Sequence, residues 1–185
     1  MPAEETRRRL VEAARATLVE DGFAAASTRA IAARAGANQA LVFYHFGGVE
    51  PLLLAALDAS SAERLDAYRA AVDSAASVAE LLERIGPLFA EDVAGGHVTV
   101  VAELVGASLG RPELRKEVAA RLAPWRELAE RAARRLLAGT PFEPAADDVA
   151  LAATALGLGL NLLARLDPAS AQLPRLAELA RLLGS

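Results

Sequence analysis

Asn38, Gln39, Tyr44 and His45, interleaved with Ala40 and Phe43, fall within eight residues of one another, at spacings that place them along a single helix. These side chains do not make a catalytic set. Asn and Gln can each pair two-pronged with an adenine edge, Ala and Phe can touch a thymine methyl, and a Tyr O–H or His N–H can donate to phosphate. The chemistry they suggest is the reading of base edges in a major groove.

Such residues need an element that presents them and another that braces it. Ser27 or Thr28 can cap a short helix, because a side-chain oxygen there accepts from a free N–H of the first turn. Ile31, Ala32 and Ala35 share one face of that helix, Gly36 supplies a left-handed end, and Ala37-Asn38-Gln39 restarts a helix within a few residues. Val42 and Phe46, at i and i+4, point this second helix at a core and leave the polar set off it. The result is a tight helix-turn-helix. Before it, a helix from about Ala3 to Glu20 carries Leu10, Ala13, Ala14, Thr17 and Leu18 on one face and ends at Asp21-Gly22. After it, Pro51 disfavours helical geometry at Glu50, so a fourth helix is expected to start at Pro51 and to carry Leu53, Ala56, Leu57, Leu65 and Tyr68.

The combination Thr28-Arg29-Ala30-Ile31-Ala32, Ala35-Gly36-Ala37, Leu41-Val42-Phe43-Tyr44-His45-Phe46 and Leu52-Leu53-Leu54, behind an amphipathic helix, resembles the TetR (tetracycline-repressor-like) family of bacterial regulators. The likeness in motifs covers about the first 57 residues; the rest agrees as an all-helical domain of suitable length. The resemblance implies a homodimer with a DNA-binding head, here residues 1–50, and a ligand-binding and dimerisation domain, here residues 51–185. It implies repression of transcription until a small molecule binds. Thr28 has a family counterpart that touches phosphate, and Thr28, Arg29, Asn38, Gln39, Ala40, Phe43, Tyr44 and His45 are the residues expected to meet double-stranded DNA. Where the family usually has a phosphate-binding Tyr this chain has Phe43, so Tyr44 or His45 takes that contact; Gly48 and Val49 replace a usual Ser and Lys.

Composition sets the limits. With 185 residues, 54% of them hydrophobic, the chain can bury a substantial core without staples. It has no cysteine and two histidines, which removes disulfide, thiolate and zinc-finger chemistry and leaves no basis for a cofactor or metal. The N-terminus has no apolar signal segment, since Arg7, Arg8 and Arg9 lead into a helix punctuated by Glu12, Arg15 and Glu20, so the cytoplasm is the expected location. The longest apolar run, Val149 to Ala164, is shorter than the roughly 20 residues that span a bilayer and contains Thr154 and Asn161, so it reads as a buried helix with no membrane partner. Net charge is −4, yet residues 1–50 balance six arginines against six carboxylates, and between 22 and 49 the formally charged residues are Arg29 and Arg34. DNA binding is therefore expected to be weakly electrostatic.

The remainder has no alternating strand pattern, and the fold class is all-α. Ser77 with Glu80 forms a capping box opening a helix to Gly95-Gly96; Val98 to Leu109, Pro112 to Leu137, Ala145 to Leu166 and Ala169 to Leu183 read as further helices, with Pro87 and Pro124 expected to bend two of them. Candidate contacts to a small apolar or amphipathic effector are Phe89, His97, Val101, Glu103, Leu104, Trp125, Phe142 and Asn161. Glu103 stands in an apolar run, and a carboxylate buried there must be paired, hydrogen-bonded or protonated. Ala153, Gly157 and Asn161 form a small-residue face, and Leu173, Leu176, Ala180 and Leu183 an apolar stripe, suited to a dimer interface. No nucleophile and base fall at a productive spacing: Glu91-Asp92 and Asp147-Asp148 are adjacent and point to different helix faces, so an enzyme is not expected. The alternative reading is an all-helical binder of small molecules or proteins without DNA binding.

Overall fold

A computed structural model describes residues 2–166, and the regular elements among them are all helical. They are α1 (Pro2–Glu20), α2 (Thr28–Arg34), α3 (Gln39–Phe46), α4 (Val49–Ser74), α5 (Val78–Ala94), α6 (His97–Ser108), α7 (Pro112–Leu137) and α8 (Ala146–Leu166), with single 3-10 turns at Phe23–Ala25 and Glu143–Ala145. The all-α expectation holds. The largest boundary difference among these is at α4, which begins at Val49, so Pro51 lies inside its first turn, where an N–H has no carbonyl to meet and the missing donor is harmless. The expected last helix, with Leu173, Leu176, Ala180 and Leu183, lies outside the described residues.

Two compact units emerge, one running to Ala62 and including Thr99–Arg121, the other formed by Glu63–Val98 and the chain from Leu122. In the first, Leu10, Ala14 and Leu18 of α1, Ile31 of α2, Val42 of α3, and Leu53 and Leu57 of α4 are fully buried as their spacing predicts, and Leu52 with Val100 and Leu104 of α6, the last expected against an effector, join them in the core. Each large aliphatic side chain so buried contributes about 1.5–3 kcal/mol. Thr17 shares this core, and its hydroxyl is satisfied by donating to the Ala13 carbonyl at 2.8 Å.

The entry to the helix-turn-helix is held from α6. Gly22 closes α1 at φ 78°, ψ 173°, a region open only to glycine. A Cβ there would stand 3.2 Å from Glu103 Oε2, the same atom that accepts from the Phe23 N–H at 2.8 Å. Nearby, the Arg111 guanidinium lies 4.7 Å from the centre of the Phe23 ring and 3.4 Å from Glu50 Oε1. Backbone strain and the Glu103 contact act together at this glycine, so Gly22→Ala should destabilise the protein by about 2 kcal/mol. Urea denaturation checks this, and a loss below about 0.5 kcal/mol, the scale of an ordinary surface substitution, would refute it.

The second unit packs Val72 of α4 with Leu128 and Ala132 of α7, flanked by Leu65, Tyr68 and Leu81. Arg135 closes the C-terminus of α4, donating to the carbonyls of Val72, Asp73 and Ala75 and satisfying groups left without helical partners. At α5 the expected cap forms, Ser77 Oγ accepting from the Glu80 N–H at 3.2 Å, while Glu80 Oε2 reaches one residue beyond the cap and accepts from the Ala76 N–H at 3.0 Å. Asp92, nearly buried, accepts from the Tyr68 hydroxyl at 2.9 Å and faces Arg64 Nε at 2.9 Å. The Arg64 contact is an ion pair whose alignment falls short of a hydrogen bond. Trp125 packs edge-on to Tyr68, with ring centres 5.2 Å apart, and lies 5.7 Å from buried His97.

Candidate DNA-reading site

The reading unit is built from local signals. Ser27, extended at φ −110°, caps α2 by accepting from the Ala30 N–H at 3.1 Å, and of the two caps the sequence allows it is Ser27 that serves. Gly36 takes the left-handed conformation at φ 60° that ends α2. Asn38 then caps α3, its Oδ1 accepting from the Ala40 N–H at 2.8 Å. The turn is braced from α1. Arg9 donates to the carbonyls of Ala35 and Gly36, and the Arg7 guanidinium sits 5.3 Å from the centre of the Phe46 ring.

On α3 the inner and outer faces divide as the spacing requires. Val42 is fully buried and Phe46 half-buried beneath Arg7. Gln39, Ala40, Phe43 and Tyr44 point outward, and Phe43 is 53% and Tyr44 78% exposed. His45 is half-buried, its ring 4.9 Å from the Tyr44 ring in a T-shaped contact. Gln39 and Thr28 are joined across the turn: Gln39 Nε2 donates to Thr28 Oγ1 at 2.8 Å. Arg29 is exposed, whereas Arg34 pairs with Glu20 at 2.5 Å and Asp21 at 2.8 Å. All eight residues expected to meet DNA thus fall on α2, on α3 or at the cap that joins them.

The candidate effector contacts are not brought together. Val101, Glu103 and Leu104 belong to the first unit, where Leu104 is core and Glu103 holds the Phe23 amide. His97 and Trp125 touch one another in the second unit, where Phe89 is half-buried and Phe142 is exposed in the turn after α7. Asn161 falls in α8, and its side chain lies outside the described residues. Burial, then the Arg64 charge, lowers the His97 pKa to about 4, so the imidazole is neutral at pH 7. Burial raises the Asp92 pKa against the opposing pull of Tyr68 and Arg64. The parts missed from sequence are Arg9, Arg111 and the Glu103–Phe23 contact; the one visible hint was a carboxylate in the apolar run of α6. Among the described residues no group of His, Asp or Glu is placed to hold a metal ion, and no single helix is long and apolar enough to cross a membrane.

A short capped helix, a left-handed turn and a second helix with its aromatic and amide side chains held outward define a helix-turn-helix DNA-binding head on an all-helical body. Residues 10–56 match the sequence model of the bacterial regulatory proteins of the tetR family. The chain is similar to a TetR-family member from Streptomyces coelicolor A3, with 26% identity over 96% of this chain and 97% of that one and a TM-score of 0.69. It is also similar to a protein from Pseudomonas aeruginosa PAO1 described as a transcriptional regulator, with 25% identity, coverage of 98% and 88%, and a TM-score of 0.73. A regulator from Saccharomonospora viridis in complex with choline shares the fold, with 21% identity, coverage of 96% and 94%, and a TM-score of 0.76. The search of curated proteins finds no match. The head is similar to that of the tetR-family regulators, and fold and head together are those of a DNA-binding transcriptional regulator.

Proposed function

We propose that this regulator is a cytoplasmic repressor that binds a near-palindromic operator as a homodimer and is released by a small apolar or amphipathic effector. The observation that carries the DNA reading is the outer face of α3, where Phe43 and Tyr44 stand largely uncovered with exposed Gln39 while Val42, on the opposite face, is fully buried. Exposed aromatics of that size on a well-packed head favour a partner surface. Two copies of α3 would enter successive major grooves, with half-sites about 34–36 Å apart or a multiple of that. Residues 1–50 would serve as the reading domain and 51–185 as the ligand-binding and dimerisation domain.

A second copy is favoured by α8. Leu151, Leu156, Leu162, Leu163 and Leu166 are exposed, Ala153 is open, and nothing stands within 4 Å of a Cβ placed at Gly157. Helices with small residues at such positions can approach closely, which compensates for the roughly 1 kcal/mol that a mid-helix glycine costs relative to alanine. The choline bound by the Saccharomonospora viridis protein supports a small effector here as well. His97, Trp125 and Phe89 are the contacts we retain for it.

Selection of sites from random duplex DNA tests this reading. Enrichment of a near-palindrome, abolished by Tyr44→Ala or Gln39→Ala, is the expected result; a folded dimer that enriches nothing would leave a helical binder without DNA activity. Titration of the enriched duplex against salt provides a further check. Because Arg34 is already paired with Glu20 and Asp21, few cations are left for phosphate. The slope of log K against log salt should be shallow, about −2 to −4 for the dimer, and a value near −9, that of about ten neutralised phosphates, would refute this.

A further inference from the structure

Two amides open the reading helix, and they are engaged differently. Asn38 Oδ1 accepts from the Ala40 N–H at 2.8 Å, so this amide already serves as the cap of α3 and is turned toward the helix backbone. Gln39, the next residue, is exposed, and its Nε2 donates at 2.8 Å to Thr28 Oγ1, eleven residues back on the first turn of α2. Two-pronged recognition of adenine needs one amide oxygen to accept from N6 and one amide N–H to donate to N7. Nε2 carries two hydrogens, and one of them satisfies Thr28. The other, with Oε1, is the pair adenine requires.

We propose that Thr28 is a positioning residue that fixes the Gln39 amide and thereby sets the preference for adenine at one position of each operator half-site. This rests on the DNA-reading function argued above. The physical reason is conformational. A free glutamine on a helix surface turns about three side-chain torsions and can present its oxygen or its nitrogen to a base, so it favours adenine only after losing that freedom. The bond to Thr28 removes part of it before DNA arrives. It also assigns the ends of the amide, because the nitrogen is the end that lies against the hydroxyl. A threonine that only held phosphate would add affinity at every sequence alike; one that orients Gln39 adds discrimination at a single base pair.

The experiment compares base preferences of full-length wild type, Thr28→Val, Thr28→Ser and Gln39→Ala, each selected against random duplex DNA and then titrated against duplexes altered at one position. Wild type should show an adenine preference of about 5- to 150-fold at the position that Gln39→Ala flattens, the range for a two-pronged contact. Thr28→Val, which keeps the shape and removes the hydroxyl, should lower that preference at least about 5-fold at this position and leave preferences elsewhere unchanged. Thr28→Ser should restore it. Uniform weakening across all sequences by Thr28→Val would reduce Thr28 to a phosphate contact and overturn the inference, as would an unchanged profile. A guanine preference at the Gln39 position would overturn the amide orientation on which it rests. Failure of wild type to enrich any site would overturn the DNA reading itself, a result distinct from a normal wild-type profile that Thr28→Val leaves intact. Thermal melting of each variant separates misfolding from altered reading, and Thr28→Ser, which keeps the hydroxyl, decides the question if valine disturbs α2.

Discussion

Replacing Arg64 by alanine should destabilise the protein by about 3 kcal/mol, the lower end of the cost of leaving a buried charge without its partner. Asp92 carries the effect. Its side chain is only 7% exposed, and without Arg64 the carboxylate keeps a single described partner, the Tyr68 hydroxyl at 2.9 Å. Burial already raises the Asp92 pKa, and the Arg64 charge is one of the two influences lowering it. Losing that charge raises it further. A carboxyl whose folded pKa lies above its unfolded value stabilises the fold below the unfolded pKa and loses that contribution as pH rises through the folded one. The deficit of Arg64→Ala should therefore be largest near pH 7 and shrink as the solution is taken toward pH 4. Urea denaturation across that range measures it. In an Asp92→Asn background the same substitution should cost much less, because no charge is left stranded. Equal costs in the two backgrounds, within the ~0.5 kcal/mol expected of independent sites, would show that the pair is not coupled.

Sequence legibility divides along the range of the interactions. The head was readable because its signals are local: Ser27 caps a helix that begins one residue later, Gly36 ends α2, and the periodic faces of α1 to α3 became the buried core, although Asn38, read as a base contact, also caps α3. Even there, the role of one arginine came only from packing. Arg8 pairs with Glu5 one turn away, as a surface arginine would, but Arg9 crosses to the carbonyls that end α2, 26 and 27 residues on. Glu103 is the clearest limit. A carboxylate in an apolar helix had to have a partner, and the sequence could not say that the partner was the Phe23 amide, 80 residues earlier. The start of α4 was misplaced by two residues for a different reason. The rule that residues before proline avoid helical geometry was outweighed by the tolerance of a first turn for proline. For the effector site the limit is one of placement: the candidates were chosen by residue type from helices that contribute to two separate units.

Acid should destabilise the fold through His97. This imidazole is buried beside the Trp125 ring, and burial with the nearby Arg64 charge brings its pKa from 6.5 to about 4. A basic group with a lowered folded pKa is bound by protons first in the unfolded state. Its contribution to stability is therefore complete above pH 6.5 and is lost as pH falls toward 4, where the native imidazole also protonates. Each pH unit in that window is worth about 1.4 kcal/mol, so the full descent removes about 3 kcal/mol. Asp92 acts with the opposite sign over the same range, because its raised pKa makes acid favourable to the buried carboxyl. The two effects are separable by substitution. His97→Gln removes the imidazole titration, so between pH 6.5 and 4 its stability should fall less steeply than that of wild type, by up to about 3 kcal/mol at the acid end after allowance for any constant offset. Asp92→Asn should shift the slope the other way. Denaturant midpoints at half-unit steps of pH give both slopes directly, and parallel curves for wild type and His97→Gln would mean that the imidazole keeps its ordinary pKa in the folded protein.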